Sequence, residues 1–131
     1  MLFVKPRDCG LETLPVSLRA AVIRIFGAAA EHVRFVENSW RVRWHPRMHA
    51  TTRRDRIYLR GTVEEFAGDP ALVLHEYFHV VKQWRTGRLT RTTYVWEWLR
   101  RGYRANRFEV EARDYVDRHI GRFLLLLRQE S

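Results

Sequence analysis

The sequence contains little cysteine and lysine and no long apolar run. A single cysteine, Cys9, excludes a disulfide bond within the chain. The apolar residues at the N-terminus are too few for a secretory signal, and residues 123–127 form an apolar run of only five. A membrane-spanning helix needs about 20 such residues. We therefore expect a soluble, cytoplasmic protein without a membrane span.

The positive charge is carried almost entirely by arginine. Lys5 and Lys82 are the only lysines among 24 basic residues, and the net charge is +9. A basic surface attracts nucleic acids, anionic membranes or acidic substrates. The arginines are spread along the chain without a lysine-rich tail, so nucleic-acid binding is an alternative interpretation and not the leading one.

The most informative stretch is His75-Glu76-Tyr77-Phe78-His79, which matches the pattern H-E-x-x-H. Two histidines four residues apart on a helix lie about 40° apart in angle, so both imidazoles can reach one ion. Glu76 lies between them and can reach a water molecule bound to that ion. A catalytic zinc site keeps an open position for water, whose pKa zinc lowers to about 7. The pattern therefore predicts a zinc site in which Glu76 accepts a proton from this water.

Apolar residues flank this motif on both sides, which predicts a buried helix. Leu72, Val73 and Leu74 precede it, and Val80 and Val81 follow it. Buried histidine and glutamate side chains need partners, because burying them unpaired costs free energy. Zinc is our preferred partner, and hydrogen bonds to neighbouring core residues are the alternative.

Hydrophobic periodicity and turn residues place the other elements. They predict helices over residues 15–30, 70–85, 90–101 and 107–128, a short helix at 62–66, and strands at 33–36, 41–44 and 55–60. The first two strands are expected to form a hairpin or two loose strands. Asp69 and Pro70 are predicted to begin the helix 70–85, and Gly87 to end it. No repeat or linker divides the 131 residues, which predicts one domain, 1–131.

The strand predicted at 55–60 directly precedes the predicted zinc helix. In zinc peptidases an edge strand often binds the substrate backbone in an extended form. An ordinary strand that covers the core is an equal alternative for these residues.

A catalytic zinc site usually has three protein ligands, so a third must follow His79. The peptidase pattern that extends H-E-x-x-H by x-x-G-x-x-H is excluded, because Lys82 and Arg85 occupy the corresponding positions. The remaining candidates are acids and one histidine further along the chain: Glu97, Glu109, Glu111, Asp114, Asp117 and His119.

With these residues the sequence resembles the gluzincin class of zinc metallopeptidases, in which a glutamate from a later helix completes H-E-x-x-H. Residues 106–112, Asn-Arg-Phe-Glu-Val-Glu-Ala, are similar to the E-x-E-A segment that supplies this glutamate in several gluzincin families, including the CAAX-processing metallopeptidases. The resemblance implies Glu109 as the third ligand. Arg113 stands where many members carry Asp or Asn, which leaves Glu111 open as the ligand, with Asp114 three residues later.

Both glutamates also have an interpretation without zinc. Glu109 would form a capping box with Asn106, the predicted N-cap of the last helix. Glu111 would form a solvated ion pair with Arg104 or Arg107.

The resemblance covers about residues 55–118 and implies an α+β fold. The expected architecture is a small zincin-like domain, with a short, mostly antiparallel sheet packed on a zinc-binding helix and a C-terminal glutamate helix. The implied function is a zinc-dependent metalloendopeptidase that cleaves peptide or protein substrates. His75, His79 and Glu109 would bind Zn²⁺, and Glu76 would act as the general base.

Two further residues have expected roles at this site. Gluzincins commonly stabilise the oxyanion with a tyrosine or histidine, and Tyr103 is our candidate. Asp114 is our candidate for orienting His75 or His79. The alternatives to a peptidase are a non-catalytic zinc-binding module, a basic nucleic-acid-associated protein, and a latent peptidase that needs a partner.

Overall fold

The computed structural model describes residues 7–39, 42 and 49–129, without the side chains of residues 91, 94 and 103–105. Within these residues a four-stranded sheet packs against helices. Its strands lie in the order β1 (Arg7–Cys9), β2 (Arg34–Glu37), β4 (Arg56–Leu59) and β3 (Ala50–Arg53). The β1–β2 and β3–β4 pairs are antiparallel, and β2 and β4 are parallel. The predicted α+β fold with a mostly antiparallel sheet is confirmed.

The hairpin predicted from strands 33–36 and 41–44 is wrong. Val42 lies in a helical turn, and its N–H donates to the carbonyl of Ser39 at 3.2 Å. Residues 41, 43 and 44 lie outside the described residues. β2 instead pairs in parallel with β4, and the paired residues Phe35 and Ile57 are fully buried. Alternating apolar residues indicate a strand but do not indicate which strand lies beside it.

The strand that precedes the motif His75–His79 is internal to the sheet. β4 uses its backbone hydrogen bonds on both sides, with β2 and with β3. An edge-strand role for residues 55–60 is therefore excluded. Among the described residues, β3 forms this edge of the sheet, and Thr52 accepts a hydrogen bond from the indole N–H of Trp84 at 3.2 Å.

Helix α1 (Val16–Phe26) packs on the core with four side chains at helical spacing: Leu18, Ala21, Val22 and Phe26. It is shorter than the predicted helix 15–30, because the chain continues from Gly27 as a 3-10 turn to His32. The ring of Phe26 stacks on Tyr77 with 5.6 Å between centroids, and Tyr77 also contacts Phe35 of the sheet. These aromatic contacts join α1, β2 and the helix that carries His75.

Helices α2 (Val63–Ala67) and α3 (Pro70–Phe78) begin at side-chain caps. The hydroxyl of Thr62 accepts from the N–H of Glu65, and a carboxylate oxygen of Asp69 accepts from the N–H of Leu72, both at 3.2 Å. After α3 the chain continues as a π-helical segment, His79–Trp84. The predicted helix 70–85 is therefore present, but its second half is wound more loosely.

Helices α4 (Arg91–Ala105) and α5 (Arg107–Gln129) complete the described structure. Gly102 interrupts α4 with a non-helical backbone at φ 75° and ψ 177°. Asn106 caps α5 by accepting a hydrogen bond from the N–H of Phe108 at 2.9 Å. Phe108 and Phe123 of α5 are fully buried in the core. None of the described helices combines the length and apolarity that crossing a membrane requires.

Candidate metal centre

Three side chains from two helical segments converge on one point. Nε2 of His75 lies 3.0 Å from Oε2 of Glu109, and Nε2 of His79 lies 3.2 Å from Oε1 of the same carboxylate. The two histidine Nε2 atoms are 3.1 Å apart. His79 and Glu109 are buried, whereas the His75 side chain is 18% exposed. The cluster therefore opens to solvent on the side of His75.

The start of α5 directs Glu109 toward the histidines. Asn106 holds the first turn through its hydrogen bond to Phe108, and the Phe108 ring is buried in the core. Glu109 follows directly in this turn, so its side chain faces the helix that carries His75 and His79. The carboxylate contacts these imidazoles, so the interpretation of Glu109 as the acidic partner of a capping box is not needed to explain its burial.

Three of the other candidate ligands face elsewhere, whereas Asp117 lines the same cleft as His75 and Glu76. Glu111 pairs with Arg88, the buried Glu97 has Arg100, Arg101 and Arg107 within 3.6–3.8 Å, and the His119 ring lies 4.2 Å from that of Tyr115. Glu111 and Glu109 are two residues apart on α5, so their side chains point about 160° apart around the helix axis. Only one of them can therefore face the histidines.

Gln83 determines which nitrogen of His79 carries a hydrogen. Its amide nitrogen donates to the carbonyl of Phe108 at 3.0 Å and to Glu111 at 3.2 Å, and both of these groups only accept. Its amide oxygen must therefore face His79, where it lies 2.6 Å from Nδ1. Since an amide oxygen only accepts, Nδ1 is the protonated nitrogen. In the neutral imidazole, Nε2 then directs a lone pair at His75 and Glu109.

This arrangement of acceptors fits a cation. Lone pairs and carboxylate oxygens that lie 3.0–3.2 Å apart repel one another unless a proton or a metal ion lies between them. Ligand atoms around a tetrahedral zinc ion, with bonds of about 2.0–2.1 Å, are about 3.3 Å apart. Two imidazoles and a carboxylate are also ligands that zinc accepts. His75, His79 and Glu109 could therefore hold a metal ion.

The same electrostatics change the pKa values of two of these groups in the metal-free protein. Burial alone would lower the pKa of His79, but the hydrogen bond and charge of Glu109 outweigh it and raise this pKa to about 9. Burial would raise the pKa of Glu109, but its hydrogen bonds to His75 and His79 lower it well below the usual range. A proton thus takes the place of the ion when no metal is bound.

Glu76 lies beside the cluster at a cleft of about 400 Å³. The cleft is also lined by His75, by Ala50 at the start of β3, and by Val116 of α5. Burial raises the pKa of Glu76, and the charges of His79 and His75 offset part of this rise. Its carboxylate therefore binds a proton more readily than a solvated glutamate does.

Two of the predicted roles are not supported by described contacts. The side chain of Tyr103 lies outside the described residues, so its role at the oxyanion stays a prediction. Asp114 is exposed on α5, and the described partner of His79 Nδ1 is Gln83 instead. The sequence analysis missed Gln83, although its position four residues after His79 in an apolar helix was a signal for it.

Comparison with known proteins adds one match. The model of a family described as the eCIS core domain matches residues 13–87, which is more than half of the 131 residues. This domain is found in contractile injection system proteins and is related to the zincin-like metallopeptidase fold. The match includes His75, Glu76 and His79 and ends before Glu109. No curated protein and no solved structure matches the chain.

Proposed function

The chain belongs to the eCIS core domain family, and on this premise we propose that it is a zinc-dependent peptidase. One observation carries the proposal. The Nε2 atoms of His75 and His79 and the Glu109 carboxylate converge within 3.0–3.2 Å, next to the buried carboxylate of Glu76 at an open cleft. A metal site that is open on one side, with a proton acceptor beside it, supports hydrolysis.

The residues of the site have distinct roles in this proposal. His75, His79 and Glu109 would hold zinc, which supplies a Lewis acid for the scissile carbonyl and makes water more acidic. Glu76 takes the proton from the attacking water and delivers it to the leaving amine. Its burial raises its pKa, which makes this carboxylate a stronger base than an exposed glutamate.

The substrate class we propose is a peptide in extended conformation. Ala50, the first residue of β3, lines the cleft, and β3 is an edge strand among the described residues. An edge strand offers backbone groups to which an extended peptide can add as a further strand. In this proposal β3 takes the edge-strand role that the sequence analysis considered for residues 55–60.

Metal analysis and peptide cleavage by the unaltered protein and its variants test the proposal. The unaltered protein is expected to bind one zinc ion and to cleave a fluorescence-quenched peptide library. Glu76→Gln should keep the zinc but lose activity by about 10²–10⁴-fold, because the proton acceptor is missing. Glu109→Gln should lose both zinc and activity. Asp114→Asn, on the exposed side of the same helix, is the matched control and should keep both.

Different outcomes would contradict different parts of the proposal. Zinc loss in Glu111→Gln combined with zinc retention in Glu109→Gln would contradict the choice of the third ligand. Stoichiometric zinc binding without cleavage of any peptide would contradict the peptidase and favour a non-catalytic zinc-binding module.

A further inference from the structure

We propose that Gln83 is the positioning residue of the metal centre and that the Arg88–Glu111 ion pair keeps Gln83 in place. Gln83 would hold His79 in the tautomer that presents Nε2 to the ion. This inference rests on the proposed metal-binding function and goes beyond it, because none of these three residues belongs to the ligand set.

Gln83 combines full burial with hydrogen bonds to both sides of the centre. Its side chain is 0% exposed and lies in the π-helical segment, four residues after His79. It links His79, at 2.6 Å, to the carbonyl of Phe108 and to the carboxylate of Glu111 on α5. A buried side chain with three such contacts has one rotamer available, so it holds the imidazole ring in one orientation.

An amide suits this position better than a carboxylate would. The groups on the α5 side, the Phe108 carbonyl and the Glu111 carboxylate, require a donor, and His79 Nδ1–H requires an acceptor. A glutamine provides a donor at one end and an acceptor at the other. A glutamate would place a second carboxylate about 3 Å from Glu111, where like charges repel.

The Arg88–Glu111 pair orients Glu111 for this contact. Both nitrogens NH1 and NH2 of the Arg88 guanidinium lie close to the carboxylate, at 2.6 and 2.7 Å from its two oxygens. Such a bidentate pair is stronger and more directional than a single contact. Arg88 follows the π-helical segment that begins at His79, and Glu111 follows Glu109 by two residues on α5. The ion pair therefore links these two segments close to the candidate ligands.

The first test measures zinc affinity in competition with a chromophoric chelator. Gln83→Met keeps the length and burial of the side chain but removes its hydrogen bonds, and it should weaken zinc binding by about 10–100-fold. Arg88→Met should weaken zinc binding in the same direction but less. Lys82→Met is the matched control, because Lys82 is the exposed neighbour of Gln83, and it should bind zinc as the unaltered protein does.

The second test separates positioning from a general loss of packing. Gln83→Glu alone should weaken zinc binding, because it places two carboxylates against each other. The double substitution Gln83→Glu with Glu111→Gln exchanges amide and carboxylate at constant net charge. It should recover part of the affinity, since the acceptor for His79 Nδ1–H and the donor between the two side chains are restored. The recovery should be incomplete, because the Phe108 carbonyl loses its donor and Arg88 loses its bidentate partner.

Nitrogen NMR of the zinc-loaded protein reads the tautomer directly. The unaltered protein should coordinate through Nε2 of His79 and show a slowly exchanging Nδ1–H, and Gln83→Met should lose this protected hydrogen. Zinc affinity in Gln83→Met equal to that of the unaltered protein, or coordination through Nδ1, would overturn the inference alone. Absence of zinc binding in the unaltered protein would overturn the proposed function as well.

Discussion

At the residue scale, the centre depends on which side chains of two neighbouring turns face each other. Glu109 and Glu111 have the same chemistry and lie two residues apart, but only Glu109 faces His75 and His79. Glu111 instead accepts hydrogen bonds from Arg88 and Gln83 at the edge of the same cluster. In the proposed site one carboxylate would bind the ion, and the other would hold Gln83, the side chain that orients His79.

The pKa of His79 predicts a pH dependence of metal binding. In the metal-free protein Glu109 raises this pKa to about 9 against the effect of burial, so the imidazole is protonated at neutral pH. Zinc needs the neutral imidazole, so a proton competes with the ion. Zinc affinity should therefore rise as the pH rises toward 9, and binding near neutral pH should release about one proton.

Calorimetric titration with zinc in two buffers of different ionisation enthalpy measures the number of protons that binding releases. A zinc affinity that stays constant between about pH 6.5 and 8.5, with no proton released, would contradict the protonated state of His79. Lys82→Met, which does not touch the centre, serves as the control and should release the same number of protons as the unaltered protein.

The residues of the centre differ in how far the sequence could predict them. His75, Glu76 and His79 are related by helical spacing alone, so their common location follows from the pattern. The prediction of Glu109 as the third ligand required the resemblance to gluzincins, because the spacing of residues along α5 does not indicate which side of the helix faces α3. Gln83 acts through hydrogen bonds to residues 25 and 28 positions away, and no local pattern encodes such contacts.

At the element scale, the starts of helices were predictable and the partners of strands were not. Thr62, Asp69 and Asn106 cap their helices through hydrogen bonds that span only two or three residues. The parallel pairing of β2 with β4 joins residues 22 positions apart and depends on how the whole sheet packs. The change to a π-helix after Phe78 was likewise not predicted from the local sequence.

Replacing either of two glycines by alanine should change the stability of the protein in opposite directions. Gly102 has φ 75° and ψ 177°, a conformation nearly restricted to glycine, so Gly102→Ala should destabilise the protein by about 1–3 kcal/mol. Gly121 lies inside α5, where alanine is preferred by roughly 0.5–1 kcal/mol, so Gly121→Ala should stabilise it. No other atom would lie within 4 Å of a Cβ added at either position. The expected changes in stability therefore come from the backbone conformation and not from steric clashes.

Urea unfolding monitored by circular dichroism gives the free energy of unfolding of each variant. Each variant is the control for the other, because the added methyl group is the same. A Gly102→Ala variant as stable as the unaltered protein would mean that the backbone at this kink relaxes without cost.

At the scale of the whole molecule, the candidate metal centre brings together two parts of the chain. His75 and His79 belong to the segment that packs beside the sheet and lies within the family match, residues 13–87. Glu109 belongs to α5, which begins 20 residues after that match ends. An ion bound by all three residues would therefore cross-link the sheet-bearing part to the last helix.

This cross-link predicts that zinc stabilises the folded protein. An ion that binds only the folded state, at about 100 times its dissociation constant, adds about 2.7 kcal/mol to the free energy of unfolding. For a domain of this size that corresponds to an increase of roughly 10 °C in Tm.

Glu109→Gln and His79→Ala should lose this increase in Tm, because each removes one side of the link. Glu76→Gln should keep it, since Glu76 is not a ligand. Thermal melts with zinc and with EDTA measure these shifts, and an equal increase in Glu109→Gln would place the ion on the histidines alone and separate α5 from the centre.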